Sequence, residues 1–178
     1  MEKTEQAEKE QVSFVKGLAG LVKNKYWVLL VIALFAMYFM MSSFFGSAVY
    51  YAKYNMGDES YYASISNCLS VAQIATMFVT PFIMKKTGKR NVFLMGMLIS
   101  MAGFLLTGFT TDLTLVCVLS VVKGIGFGFG AATMFGALQD AITYGEWLNG
   151  YGTAGMGNAA SSFCMKVGSG FGTAVLGW

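Results

Sequence analysis

Two lysines, Lys123 and Lys166, each interrupt an otherwise uncharged apolar run. A cation at the centre of a bilayer costs about 2.5–3.5 kcal/mol on insertion scales, so each asks for a partner or a water-filled cavity. Asn158, Ser162 and Lys166 recur at four-residue spacing and share one helical face, with Ser161 beside them. An amide, hydroxyls and an ammonium in one stripe suit hydrogen bonding to a hydroxyl-rich ligand in a wet cavity. Upstream, Asp140, Tyr144, Gly145 and Glu146 fall in a polar stretch, Asp140 to Tyr151, expected as a turn between two apolar runs. The competing reading of Lys166 is a structural ion pair. Asp140 and Glu146 belong to that turn, so no acid lies at comparable depth. The partner is therefore expected from another chain or segment.

Other chemistries lack materials. Histidine is absent, and Cys68, Cys117 and Cys164 lie singly in three separate runs. No zinc set or histidine-based triad can be assembled, and no metal site is expected in this chain. Nothing resembles a nucleophile–base pair, so an enzyme is not expected. The cysteines read as small packing residues. No cofactor and no nucleic-acid partner are expected.

The elements around these residues follow from composition. Only 12% of the 178 residues are charged and 56% are hydrophobic, with a mean hydropathy of +0.59. A soluble domain carries about 25% charged residues, so this chain cannot cover a water-facing surface. Residues 1–11 read as a solvated tail, unlike a cleavable signal peptide. Residues 12–24 place Val15, Leu18 and Val22 on one helical face and Lys16 and Lys23 on another, as an amphipathic helix lying on a membrane surface would. The first 25 residues thus form a cytoplasmic tail and interfacial helix. The remainder, 26–178, contains spans near 26–52, 60–84, 91–111, 113–138 and 153–178. The expected fold is all-α, a polytopic membrane bundle of about five helices.

Charge sets the orientation. With the amino terminus inside, Lys3, Lys9, Lys16, Lys23 and Lys25 share the inner side with Lys85, Lys86, Lys89 and Arg90, against Lys53 alone outside. That asymmetry follows the positive-inside rule. The basic loop KKTGKR holds Gly88 at its centre, suited to a tight turn with positive φ. In KGIGFGFG, Gly124/Gly128 and Gly126/Gly130 form four-residue pairs that permit close helix approach in lipid, and Gly168/Gly172 repeat the spacing.

The stretch DAITYGEWLNG, with Lys166 in the helix that follows, resembles the glycoside–pentoside–hexuronide:cation symporters, a melibiose-carrier-like branch of the major facilitator superfamily. The family pattern is an acidic residue, Y-G-E-(Y/W), a T/N-G, and a downstream lysine. LVKNKYW, KKTGKRN and KGIGFGFG also look like the family's seventh, eighth-to-ninth and tenth helical regions. The resemblance covers nearly the whole chain and implies a carboxyl-terminal half, helices seven to eleven, with the last helix missing.

By this resemblance the chain is part of a secondary transporter carrying a sugar or glycoside with sodium or a proton. It sits in the cell (inner) membrane with its amino terminus cytoplasmic and is expected to be inactive without an amino-terminal half. Lys166, Ser162, Ser161 and Asn158 would face the substrate and cation cavity. Asp140, Tyr144, Gly145 and Glu146 would form the cytoplasmic gate, and Lys85, Lys86, Gly88, Lys89 and Arg90 a basic cytoplasmic loop like the G-(K/R)-(K/R) loop of major facilitator transporters. Two departures weaken the gate's expected ion pairs: no basic residue stands near Gly152, and Thr143 occupies a second acidic position. A different class stays open. A small homo-oligomeric channel or non-transporting membrane subunit would place Lys123 and Lys166 along a shared anion pathway.

Overall fold

A computed structural model describes residues 14–177 as six α-helices: α1 (Phe14–Lys23), α2 (Lys25–Asn55), α3 (Tyr61–Thr87), α4 (Lys89–Thr107), α5 (Leu113–Asn149) and α6 (Ala154–Leu176). No strand occurs among the described residues. The expected amino-terminal tail lies outside them.

The helices bury small and hydroxyl residues alongside some apolar ones and leave many large apolar side chains on the outside. On α3 the buried positions are Ile65, Leu69, Thr76 and Thr80, and on α4 they are Val92, Gly96, Ser100 and Gly103. Large apolar side chains point away from the protein instead, among them Val71, Phe78, Phe82, Leu98 and Leu105. Small and hydroxyl residues at helix contacts with many bulky apolar residues outside is the pattern of helices whose solvent is lipid. Some buried hydroxyls are satisfied within their own helix: Thr80 donates to Thr76 O at 2.7 Å, and Ser120 to Val116 O at 2.8 Å, whereas the Ser66 and Ser100 hydroxyls have no hydrogen-bond partner among the described residues. The chain is a multi-pass membrane protein.

By length and apolarity α2, α3, α4 and α5 qualify as spans. The expected fifth, α6, has 23 residues, about 34 Å of helix against a hydrocarbon core of about 30 Å. It is long enough to cross, but Asn158, Ser161, Ser162, Lys166 and Ser169 make it less apolar than the other four.

Two helix boundaries differ from the sequence reading. The polar stretch from Asp140 is no turn: α5 continues to Asn149, 37 residues and about 55 Å in all, and the chain turns only over 150–153. Leu138, Ala141, Ile142 and Gly145 are buried along one face of this extension, so helical periodicity outlasts the apolar composition. The basic loop is likewise nearly all helix. Lys85 and Lys86 close α3, Lys89 and Arg90 open α4, and Gly88 alone breaks the helix at φ 81°.

The chain divides into two compact units, one formed by residues up to Ser42 and from Gly136 onward, the other by Ser43–Phe135. In the second unit the alternating glycines of α5 serve two neighbours. Gly124 and Gly128 meet α3, where a Cβ on Gly128 would stand 2.7 Å from Gln73 O. Gly126 faces α4, and a Cβ on the opposing Gly96 would stand 2.8 Å from Gly126 O. A two-residue alternation on a 3.6-residue helix thus gives two glycine faces, each against a different backbone. In the first unit α1 lies against α6. Asn24, 3% exposed, starts α2: its Oδ1 accepts the N–H groups of Tyr26 and Trp27, and its Nδ2 donates to Ala141 O at 2.7 Å.

Candidate functional site

The first unit carries the polar stripe. α6 turns Gly157, Ser161, Gly168 and Gly172 inward. Gly168 lets α6 approach α2 so closely that a Cβ there would stand 2.6 Å from Phe35 O. Along the same contact, the hydroxyls of Ser42 and Thr173 are hydrogen-bonded at 2.8 Å. This face is glycine-rich and packed on backbone, and longer polar side chains stand on the flank of α6 beside it.

That flank carries Asn158, Ser162 and Lys166. Ser162 and Lys166 are exposed and Asn158 is partly so, its Oδ1 accepting Gln139 Nε2 at 2.8 Å. Among the described residues no carboxylate pairs with Lys166. Ser161 is separated from this group. It is fully buried and donates its hydroxyl to Gly157 O at 2.7 Å. Three of the four stripe residues are therefore brought together, and the fourth is turned into the unit's interior.

The residues expected at a gate have distinct surroundings. Asp140 and Tyr144 are exposed on α5, the Tyr144 ring standing edge-on to Tyr26 at 5.6 Å. Gly145 is buried because Asn24 occupies the space beside it; a Cβ at Gly145 would lie 2.8 Å from Asn24 Nδ2. Glu146 accepts the backbone N–H groups of Thr153 at 2.5 Å and Ala154 at 2.7 Å, which joins the end of α5 to the start of α6. Tyr151, in the intervening turn, donates to Lys16 O at 3.2 Å. Lys85, Lys86, Gly88, Lys89 and Arg90 belong to the other unit.

Asn24 was not singled out in the sequence, although an asparagine before Tyr26-Trp27 sits where an N-cap would. The surroundings of Lys123 were also unforeseen. This lysine is 1% exposed within the second unit. Its Nζ lies 4.9 Å from the Phe44 ring centre and 5.3 Å from that of Phe104. Gly103 makes room for the stem: a Cβ there would meet Lys123 Cγ at 2.7 Å. Two desolvated cation–π contacts of about 2 kcal/mol each offset part of a burial cost of several kcal/mol. No carboxylate completes the site among the described residues.

A bundle of lipid-facing helices with a polar, cation-bearing stripe on one of them has the makings of a membrane transport protein. The comparisons with known proteins give the family. A model of the MFS/sugar transport protein family matches residues 1–178, and the chain belongs to that family. It is 34% identical over 172 residues to an isoprimeverose transporter of Lactiplantibacillus pentosus, an alignment covering 95% of this chain and 36% of that protein. It is 25% identical over 168 residues to a glucuronide carrier protein homolog of Escherichia coli (strain K12), covering 93% of this chain and 37% of that one. The chain thus spans little more than a third of these relatives. They agree with its assignment as glycoside–pentoside–hexuronide symporter-like within the major facilitator superfamily. No solved structure matches the chain significantly.

Proposed function

We propose that this chain acts as the carboxyl-terminal part of a secondary active transporter for sugars or glycosides, with uptake coupled to sodium or protons. The single observation that carries the reading is the Asn158–Ser162–Lys166 flank of α6, with Ser162 and Lys166 exposed, beside the glycine face that packs on α2. A lysine in a membrane helix with no carboxylate partner among the described residues suits one wall of an aqueous cavity. In this reading Lys166 orients the coupling and substrate groups, and Asn158 and Ser162 hydrogen-bond sugar hydroxyls. Ser161 supports the helix from behind. The second cavity wall and the coupling carboxylates come from an amino-terminal half.

Asp140, Tyr144, Gly145 and Glu146 stand at the cytoplasmic end as residues of the gate. The membrane is the cell (inner) membrane and the amino terminus is cytoplasmic. α1 lies at the inner interface, its exposed Val15, Leu18 and Val22 in the headgroup region. The 34% identity to an isoprimeverose transporter makes isoprimeverose the first sugar to try.

A homo-oligomeric anion pathway would need both lysines on an outward surface. Lys123 is enclosed by Phe44 and Phe104, which favours the transporter. The test is sugar uptake into proteoliposomes under an imposed sodium or proton gradient. The chain paired with a matching amino-terminal half should accumulate sugar, and the chain alone should not. Robust uptake by the chain alone would refute the half-transporter reading.

A further inference from the structure

The cavity around Lys123 lies within the second unit, away from the α6 stripe in sequence, and no part of the transport reading uses it. It has a volume of about 310 Å³ and is walled by Phe44, Ser47, Tyr51, Phe104, Thr107 and Lys123, with Ala48 among its apolar lining. Its hydroxyl donors are already engaged. Ser47 donates to Phe44 O at 3.0 Å, Thr107 donates to Gly103 O at 2.7 Å, and Tyr51 donates to the carbonyls of Thr107 and Thr110. The ammonium of Lys123 remains. It is buried, without a carboxylate among the described residues, and held over two ring faces that offer no hydrogen-bond acceptor.

We propose that this cavity binds a small organic anion with an apolar body, such as a monocarboxylate. A buried ammonium at the wall of a mostly apolar space, reached by a ligand once the Phe44 and Phe104 rings shift, is best matched by a carboxylate followed by hydrocarbon, since charge-assisted hydrogen bonds gain strength when water is excluded. At about 30 Å³ per water the volume holds about ten water-sized groups, so a ligand of about ten non-hydrogen atoms fits. A phospholipid, with glycerol and two acyl chains, exceeds that volume. Neutral sugars match it poorly, because they present many hydroxyls to a wall whose own donors are engaged.

The test is equilibrium dialysis of radiolabelled octanoate against the full chain in nanodiscs of zwitterionic lipid at neutral pH. Saturable binding above that of empty nanodiscs is expected, with octanol failing to compete. Lys123→Met, which removes the charge, and Ala48→Phe, which fills the cavity and keeps the lysine, should each weaken binding at least ten-fold. Ala48→Phe decides the matter if Lys123→Met does not fold. Three results would overturn the proposal: no saturable binding, meaning a water-filled cavity only; unchanged binding in either folded variant; or octanol competing as well as octanoate.

Discussion

The carboxylate of Glu146, near the end of α5, caps the first turn of α6 by accepting the N–H groups of Thr153 and Ala154 at 2.5 and 2.7 Å. A negative group on free N–H donors at a helix start is favourable through both the hydrogen bonds and the helix dipole. Glu146→Ala should destabilise the α5–α6 corner by about 1–2 kcal/mol. Hydrogen exchange should accelerate at 153–157 and stay unchanged in α3 and α4. Uniform acceleration across all helices would mean that the carboxylate does more than hold this corner.

Asn24 and Gly145 form a second testable pair. Asn24→Ala removes a buried bond to Ala141 O and the α2 cap, a loss of about 1–3 kcal/mol. Gly145→Ala places a Cβ at 2.8 Å from Asn24 Nδ2, so it too should destabilise. Combined, the substitutions should be less damaging than the sum of the two, because the first removes the atom that the second strikes. Thermal unfolding of the four variants in one detergent measures this; strict additivity would contradict the contact.

Much of this was open to sequence reading and some was not. The glycine pairs at 124/128, 126/130 and 168/172 could be read because close helix approach in lipid needs small residues four apart. Gly88 could be read because a one-residue break between helices calls for positive φ, observed at 81°. The extension of α5 is hidden because its polar composition reads as a turn, although Leu138, Ala141, Ile142 and Gly145 keep helical spacing. A helix leaving the hydrocarbon can turn polar without ending. Ser161 was grouped with its neighbours on proximity alone, and only the packing of α6 on α2 shows that it faces inward. The rings around Lys123 come from α2 and α4, remote in sequence, so no local pattern announces them.

The glycines of α5 should tolerate side chains unequally with those of α6. Gly126→Ala puts a methyl group into the backbone of α4 beside Gly96 and Ser100, whereas a Cβ at Gly170 meets nothing within 4 Å. Gly126→Ala is expected to lower the unfolding temperature sharply. Gly170→Ala should leave it unchanged or raise it, since alanine gains up to about 1 kcal/mol over glycine in a helix. Equal effects at both positions would remove the two-faced glycine packing as an explanation.

In the loop before α3, hydrogen bonds from the Ser60 side chain and backbone hold the Asp58 carboxyl below its ordinary 3.8. The Ser60 N–H to Asp58 Oδ1 distance is 2.8 Å. With the folded value depressed, the stabilisation is present above pH 3.8 and is lost as pH falls through the lower folded value. NMR titration of Asp58 should show this, and Ser60→Ala should move its midpoint up toward 3.8. An unmoved midpoint would assign the shift to another cause.

The most direct measurement is gradient-driven sugar uptake by this chain reconstituted with a matching amino-terminal half, comparing the native sequence with Lys166→Gln. An exposed lysine serving the cavity predicts that coupled uptake disappears while the protein still folds and inserts, shown by an unchanged unfolding temperature. Coupled uptake that survives in Lys166→Gln would contradict the assignment of the α6 stripe to the substrate and cation path.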